Sequence, residues 1–95
     1  MYIVVLVTCT NKKEAKRIAE KLVQDKLAAC VSIIPQVESI FCWQGKLENA
    51  LELLLVAKSK KSHLARIIKI VRKFHSYEVP EIIALPMAGG YKNCS

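Results

Sequence analysis

An α+β domain with the element order β-α-β-β-α-β is what this sequence predicts, on three observations. Two segments carry apolar residues at helical spacing. Four others are β-branched or apolar runs of strand length, and the two kinds interleave in that one order along 95 residues with no linker or repeat. A chain this short favours one domain, and it removes roughly 60–65% of its unfolded surface from water, enough for a core without metal or disulfide staples.

The elements follow in order. Residues 2–9 (YIVVLVTC) are β-branched and apolar and read as a buried strand. Asn11 with Glu14 three residues on resembles a capping box. Ala15, Ile18, Ala19, Leu22 and Val23 then put one apolar stripe on a helix over 12–26. Residues 27–34 and 37–43 form a second strand interrupted by Pro35, which predicts a bend or bulge. Gln44-Gly45 makes the turn into a third strand over 46–58, on which Leu47, Leu51, Leu53 and Leu55 share a face. Ser59 is read as the cap of a second helix whose stripe is Leu64, Ile67, Ile68, Val71 and Phe74 or His75. Residues 79–85 make the fourth strand, and 88–95 a small, polar tail. This order is the ferredoxin-like split βαβ arrangement, an antiparallel sheet with both helices on one face. Many functions share it, so the site must be argued from residues.

Composition narrows the classes. The apolar content of 53% is high for so small a chain and points to self-association. No window reaches the ~18 apolar residues of a membrane span. The opening apolar run has its lysines after it rather than before it, unlike a secretory signal. A cytoplasmic protein with no membrane partner is expected. Cys9, Cys30, Cys42 and Cys94 form no C-x-x-C pair. They are expected to be reduced, with Cys30 and Cys42 as small core or interface residues.

The net charge is +7, with basic residues concentrated in 12–26 and 58–73. These runs fall between helical core positions and read as solvated helix faces. The exposed aromatic and basic strands of an RNA-binding module of this fold are missing, so a nucleic-acid partner is not expected. The chain has two histidines, no glycine-rich phosphate loop, and no nucleophile, base and orienting group that sequence alone would assemble. It is therefore read as a binding protein and not an enzyme.

Three segments carry a more specific signal. Lys26-Leu27-Ala28-Ala29-Cys30-Val31, Trp43-Gln44-Gly45-Lys46 and His75-Ser76-Tyr77-Glu78-Val79-Pro80-Glu81 stand in order with the expected elements between them. They resemble the KLAACV signature, the W-E-G-K turn and the H-P-Y-E-x-P-E segment of the CutA family of divalent-cation tolerance proteins. The resemblance covers nearly the whole chain. It implies a homotrimer, and weak, non-obligatory binding of Cu2+ or another divalent cation. In members that look like copper binders the ligands are a cysteine at the end of the first strand and adjacent histidines after the second helix. Carried over, the cysteine position is Val7 and the first histidine Phe74, which leaves His75, with Cys9 a substitute two residues along the strand. The resemblance also implies a cleft between subunits lined by Trp43, Glu52, Lys58, Tyr77, Glu78 and Glu81, a place for a cation or small polar ligand. A sensor trimer like the PII signalling proteins is the rival; its long mobile loop is replaced here by the two-residue Gln44-Gly45 turn. Two departures stand out. Ser76 replaces the usual proline, and the family continues past the fourth strand into a short helix, whereas this chain ends at Ser95.

Overall fold

The computed structural model describes residues 1–76 and 80–90. Strand β1 (Tyr2–Cys9) leads into helix α1 (Lys12–Gln24), and the long strands β2 (Ala28–Trp43) and β3 (Lys46–Lys60) form a hairpin. Helix α2 (Leu64–Phe74) and strand β4 (Ile82–Pro86) complete the chain. The sheet order is β2-β3-β1-β4, and every neighbouring pair is antiparallel. The predicted fold is therefore the observed one.

Alternation along β1 sets the two faces. Ile3, Val5, Val7 and Cys9 are buried toward the helices, where Leu55 and Ala57 lie beside them on β3. Ile18 and Leu22 of α1 and Ile67 and Val71 of α2 close over this face with no exposed surface. Burying each such side chain contributes about 1.5–3 kcal/mol. The intervening residues point to the other face, which no element among the described residues covers. Val4, Leu6, Ile34, Leu54, Val56, Ile83 and Leu85 share it by register, so it is largely apolar too. An antiparallel sheet with one solvated face ordinarily alternates apolar with polar residues; this one does not.

The hairpin outgrows the sheet. β1 pairs β3 only as far as Leu53, so Val37–Trp43 and Lys46–Glu52 pair with each other alone and project as a two-stranded arm. The molecule measures 44 × 26 × 22 Å as a result. Leu47, Leu51 and Trp43 on the arm are 81%, 72% and 61% exposed. The turn is of the type with positive φ at both central residues (Gln44 50°, Gly45 79°), which matches the right-handed twist of the flanking strands. Pro35 is accommodated by the predicted irregularity: the register shifts between Ile34 and Val37, and Gln36 takes φ 58°.

Three readings need correction. Helix α1 stops at Gln24, because Lys26 adopts φ 57° and Leu27 N–H returns to Leu22 O, a left-handed termination that usually recruits glycine. Ser59 does not cap α2. It lies within β3, and its hydroxyl donates to Leu27 O, tying β3 to the start of β2; a 3-10 turn over Lys61–His63 opens the helix instead. Of the two places expected for Cys30 and Cys42, the core is ruled out: both are exposed, Cys30 on the open sheet face with Lys58 and Cys42 on the arm. Among the described residues, no helix is long and apolar enough to cross a membrane.

Candidate metal centre

The end of β1, the first turn of α1 and the residue after α2 converge beneath the helices. Cys9 is the last inward-facing residue of β1 and is fully buried. Asn11 then caps α1, its Oδ1 accepting the Glu14 N–H at 2.8 Å. This puts Glu14 in the first turn, where a carboxylate is favoured by the helix dipole. Its Oε2 accepts from Thr10 N–H at 3.3 Å and from the Thr10 hydroxyl at 3.2 Å. Its Oε1 accepts the Ser76 N–H at 2.5 Å. His75 ends α2 by leaving helical geometry (φ −83°, ψ 140°), which swings its ring inward. Its Nε2 lies 2.6 Å from Thr8 O and 3.9 Å from Glu14 Oε2. A carbonyl only accepts, so the hydrogen of the shorter contact is on Nε2, and Nε2 could bind an ion only by changing tautomer and giving up this bond.

Cys9, Glu14 and His75 thus each offer one donor atom within 4.8 Å of the other two, and all three residues are buried. The electrostatics suit a cation. Burial, then the charges of Glu14 and Glu52, push the Cys9 thiol from its ordinary 9.0 up to about 12. A positive ion would offset both causes. Burial also pushes the Glu14 carboxyl upward, but the hydrogen bonds from Ser76 and Thr10, and then the His75 ring, outweigh it and hold the group below its ordinary 4.5. Glu14 is therefore held in its ionised form. Thiolate, imidazole and carboxylate together fit a borderline divalent ion such as Zn2+ or Cu2+.

Of the residues predicted for the site, His75 lies at this centre. Glu52 is buried on β3 opposite Val37, just beyond the end of β1, where its charge reaches Cys9. Glu81 is exposed immediately before β4. By register it falls level with Thr8, two residues short of Glu52 on the other side of β1, roughly 12 Å away. Lys58 lies six residues from Glu52 along β3, roughly 20 Å, on the open face beside Val4 and Cys30. Trp43 is as far in the other direction, at the tip of the arm. One subunit does not bring these four side chains together. Tyr77 and Glu78 lie outside the described residues. Glu14 was not placed in this cluster by the sequence because its signal was that of a helix cap, a role it also fills.

Ser76 has a structural consequence. Proline has no N–H, so the bond to Glu14 Oε1 exists only because proline is absent here. Ser76→Pro is expected to destabilise the fold by about 1.5–3 kcal/mol, the range for a hydrogen bond to a charged group, whereas Ser76→Ala keeps the N–H donor, loses the side-chain hydrogen bond to Glu14, and should cost less. The carboxylate's contribution is present above the ordinary 4.5 and is lost as pH falls through the depressed folded value. The gap between Ser76→Pro and wild type in urea melts should therefore narrow as pH falls below the ordinary 4.5.

A ferredoxin-like subunit with a projecting strand arm, an uncovered apolar sheet face and a buried thiol–carboxylate–imidazole cluster defines the class. The CutA1 divalent ion tolerance protein family matches residues 3–94, and the chain belongs to that family. The divalent-cation tolerance protein CutA of Thermus thermophilus is 44% identical over 87 residues, covering 92% of this chain and 84% of that protein. The chloroplastic CutA 1 of Oryza sativa is 47% identical over 88 residues, 93% of this chain. This chain spans about half the length of that and the other plant and animal relatives it matches. Among solved structures, the Thermus thermophilus protein superposes with a TM-score of 0.94 at 42% identity, over 97% of this chain and 89% of that one. A CutA from Archaeoglobus fulgidus described as periplasmic gives 0.92 at 39% identity, over 97% and 89%. The relatives' names thus span different compartments.

Proposed function

We propose that this protein binds a divalent cation, copper or zinc first, through Cys9, Glu14 and His75, and that it does so as a homotrimer without catalysing a reaction. The observation that carries the reading is the meeting of three buried donor atoms within 4.8 Å, supplied by β1, α1 and the end of α2. Second support comes from the Cys9 thiol, which is buried and raised by the charges of Glu14 and Glu52, surroundings that a cation would suit. The trimer reading rests on two uncovered apolar surfaces: the open sheet face, and Leu47 and Leu51 of the arm, which by strand alternation stand on the opposite side of β3. In such an assembly Trp43 on the arm of one subunit can approach Glu52, Lys58 or Glu81 of another, which a single subunit does not allow. The two-residue Gln44-Gly45 turn offers no long loop of the kind a PII-like sensor would use.

Calorimetric titration with Zn2+ and Cu2+, alongside sizing of the oligomer, tests this. Wild type is expected to bind one ion per chain. Cys9→Ser and His75→Ala should each weaken binding at least tenfold while keeping the oligomer, since removing even an outer partner of a metal site costs 10–100-fold. Unchanged affinity in both variants overturns the centre and returns attention to the inter-subunit cleft.

A further inference from the structure

We propose that the outer surface of the helix layer is a docking face for the phosphate backbone of duplex nucleic acid. This goes beyond the cation reading and uses none of its residues. Charge distribution is the first observation. Helices α1 and α2 contain nine Lys and Arg against two Glu, an excess of seven, which equals the formal +7 of the whole chain. The rest of the chain is neutral, with six Lys balanced by six acidic residues. One of the two helical carboxylates, Glu14, is buried in the site described above, so Glu20 is the one acidic side chain that α1 and α2 expose.

Placement is the second observation. From sequence alone the two basic runs are separate solvated faces; in the fold α1 and α2 lie side by side on the same side of the sheet. Their charges merge across the seam. The Arg17 guanidinium and the Lys73 ammonium come from different helices, and both sit over the Phe74 ring, at 5.1 and 5.6 Å. Cations gathered this closely repel one another, and a line of phosphates relieves that repulsion. Helix α1 is about 20 Å long, a span of roughly six base pairs. Its neighbouring exposed positions recur every ~5–6 Å, a density suited to a polyanion carrying one charge per ~1.7 Å of axis.

The same surface argues against the rivals. A membrane-bound amphipathic helix inserts its apolar stripe. Here both stripes are buried, through Ile18, Leu22, Ile67 and Val71, and Val23 is the one large apolar side chain that the helices expose. Single-stranded nucleic acid is usually held by stacking on aromatics; Phe74, the one aromatic in the layer, is half-buried beneath Arg17 and Lys73. Backbone contact without base readout remains, and it predicts binding with no sequence preference.

Fluorescence anisotropy of a labelled 20-base-pair DNA duplex, titrated with the full chain at 50 and 200 mM KCl, tests the proposal. Binding is expected at 50 mM, falling with a log–log salt slope of roughly −4 to −5 for about five phosphates. Lys16→Glu with Lys69→Glu should weaken binding at least tenfold. Lys46→Glu with Lys61→Glu removes the same charge from the hairpin tip and the 3-10 turn and should stay within threefold of wild type. If thermal melts show that the helix double variant fails to fold, Lys16→Gln with Lys69→Gln takes its place, with at least a threefold loss expected. No binding at 50 mM, a slope shallower than −1, or equal losses in the two variants would overturn the docking face. Tighter binding to phosphatidylserine vesicles than to the duplex would overturn it in favour of a membrane surface.

Discussion

Val56→Asp is expected to convert the proposed trimer into folded monomers. Val56 lies between Leu6 on β1 and Ser32 on β2, in the middle of the open sheet face and on the opposite side from the helix-covered core. A monomer therefore tolerates a carboxylate there, because water reaches it. An assembly that buries the face does not. An unpaired buried charge costs roughly 3–5 kcal/mol, and threefold symmetry repeats that cost at every copy. Each 1.4 kcal/mol is tenfold in an equilibrium constant, so the loss spans many orders of magnitude at micromolar protein. Sedimentation equilibrium should give the mass of one chain, with the circular dichroism spectrum of wild type. Leu47→Asp on the arm is expected to weaken the assembly less, since Leu47 lies at the far end of the ribbon, next to the turn. If Val56→Asp retains the wild-type mass, the open face is not the interface.

The elements were legible because their signals are local. Alternation in β1, the helical stripes of α1 and α2 and the Gln44-Gly45 turn each fix an element within a few residues, and Pro35 announced its bulge. The errors also have local causes. Ser59 has the right type for a cap, yet its hydroxyl is claimed by Leu27 O on the neighbouring strand, a tertiary partner that no window of sequence shows. Cys30 and Cys42 stand in apolar runs that suit a core or an interface, but β2 is an edge strand and half of it has left the sheet for the arm, so within one chain they are exposed and the core part of that reading falls. The site was legible only in part. His75 and Cys9 stood out by type, while Glu14 was hidden by its role at the start of α1. What joins it to His75 is a contact 62 residues apart in sequence, through the Ser76 N–H. Long-range convergence of that kind depends on the crossing of three elements, and the order β-α-β-β-α-β specifies their packing only coarsely.

Cation affinity at the Cys9–Glu14–His75 centre is expected to rise about tenfold per pH unit, or about thirtyfold between pH 7 and 8.5. The Cys9 thiol is held at about 12, so throughout this window it is protonated, and an ion that takes the thiolate as ligand must release one proton. Glu14 lies below its ordinary 4.5 and is already ionised, so it adds nothing to the slope. Isothermal titration with Zn2+ in two buffers of different ionisation enthalpy should read close to one proton released per ion. Cys9→Ser should abolish that release together with most of the affinity, leaving a site of carboxylate and imidazole. The thiol also sets the alkaline limb of stability in the absence of added metal. Its raised value favours the neutral form in the folded state, so the contribution is complete below the ordinary 9.0 and is lost as pH climbs toward about 12. A bound cation reverses this sense, because the folded state then prefers thiolate. Thermal melts at pH 9.5 should accordingly show a larger stabilisation by Zn2+ than melts at pH 7, and the difference should vanish in Cys9→Ser. Equal stabilisation at both values, with no proton released, would mean that the thiol is a spectator and that Glu14 and His75 hold the ion without it.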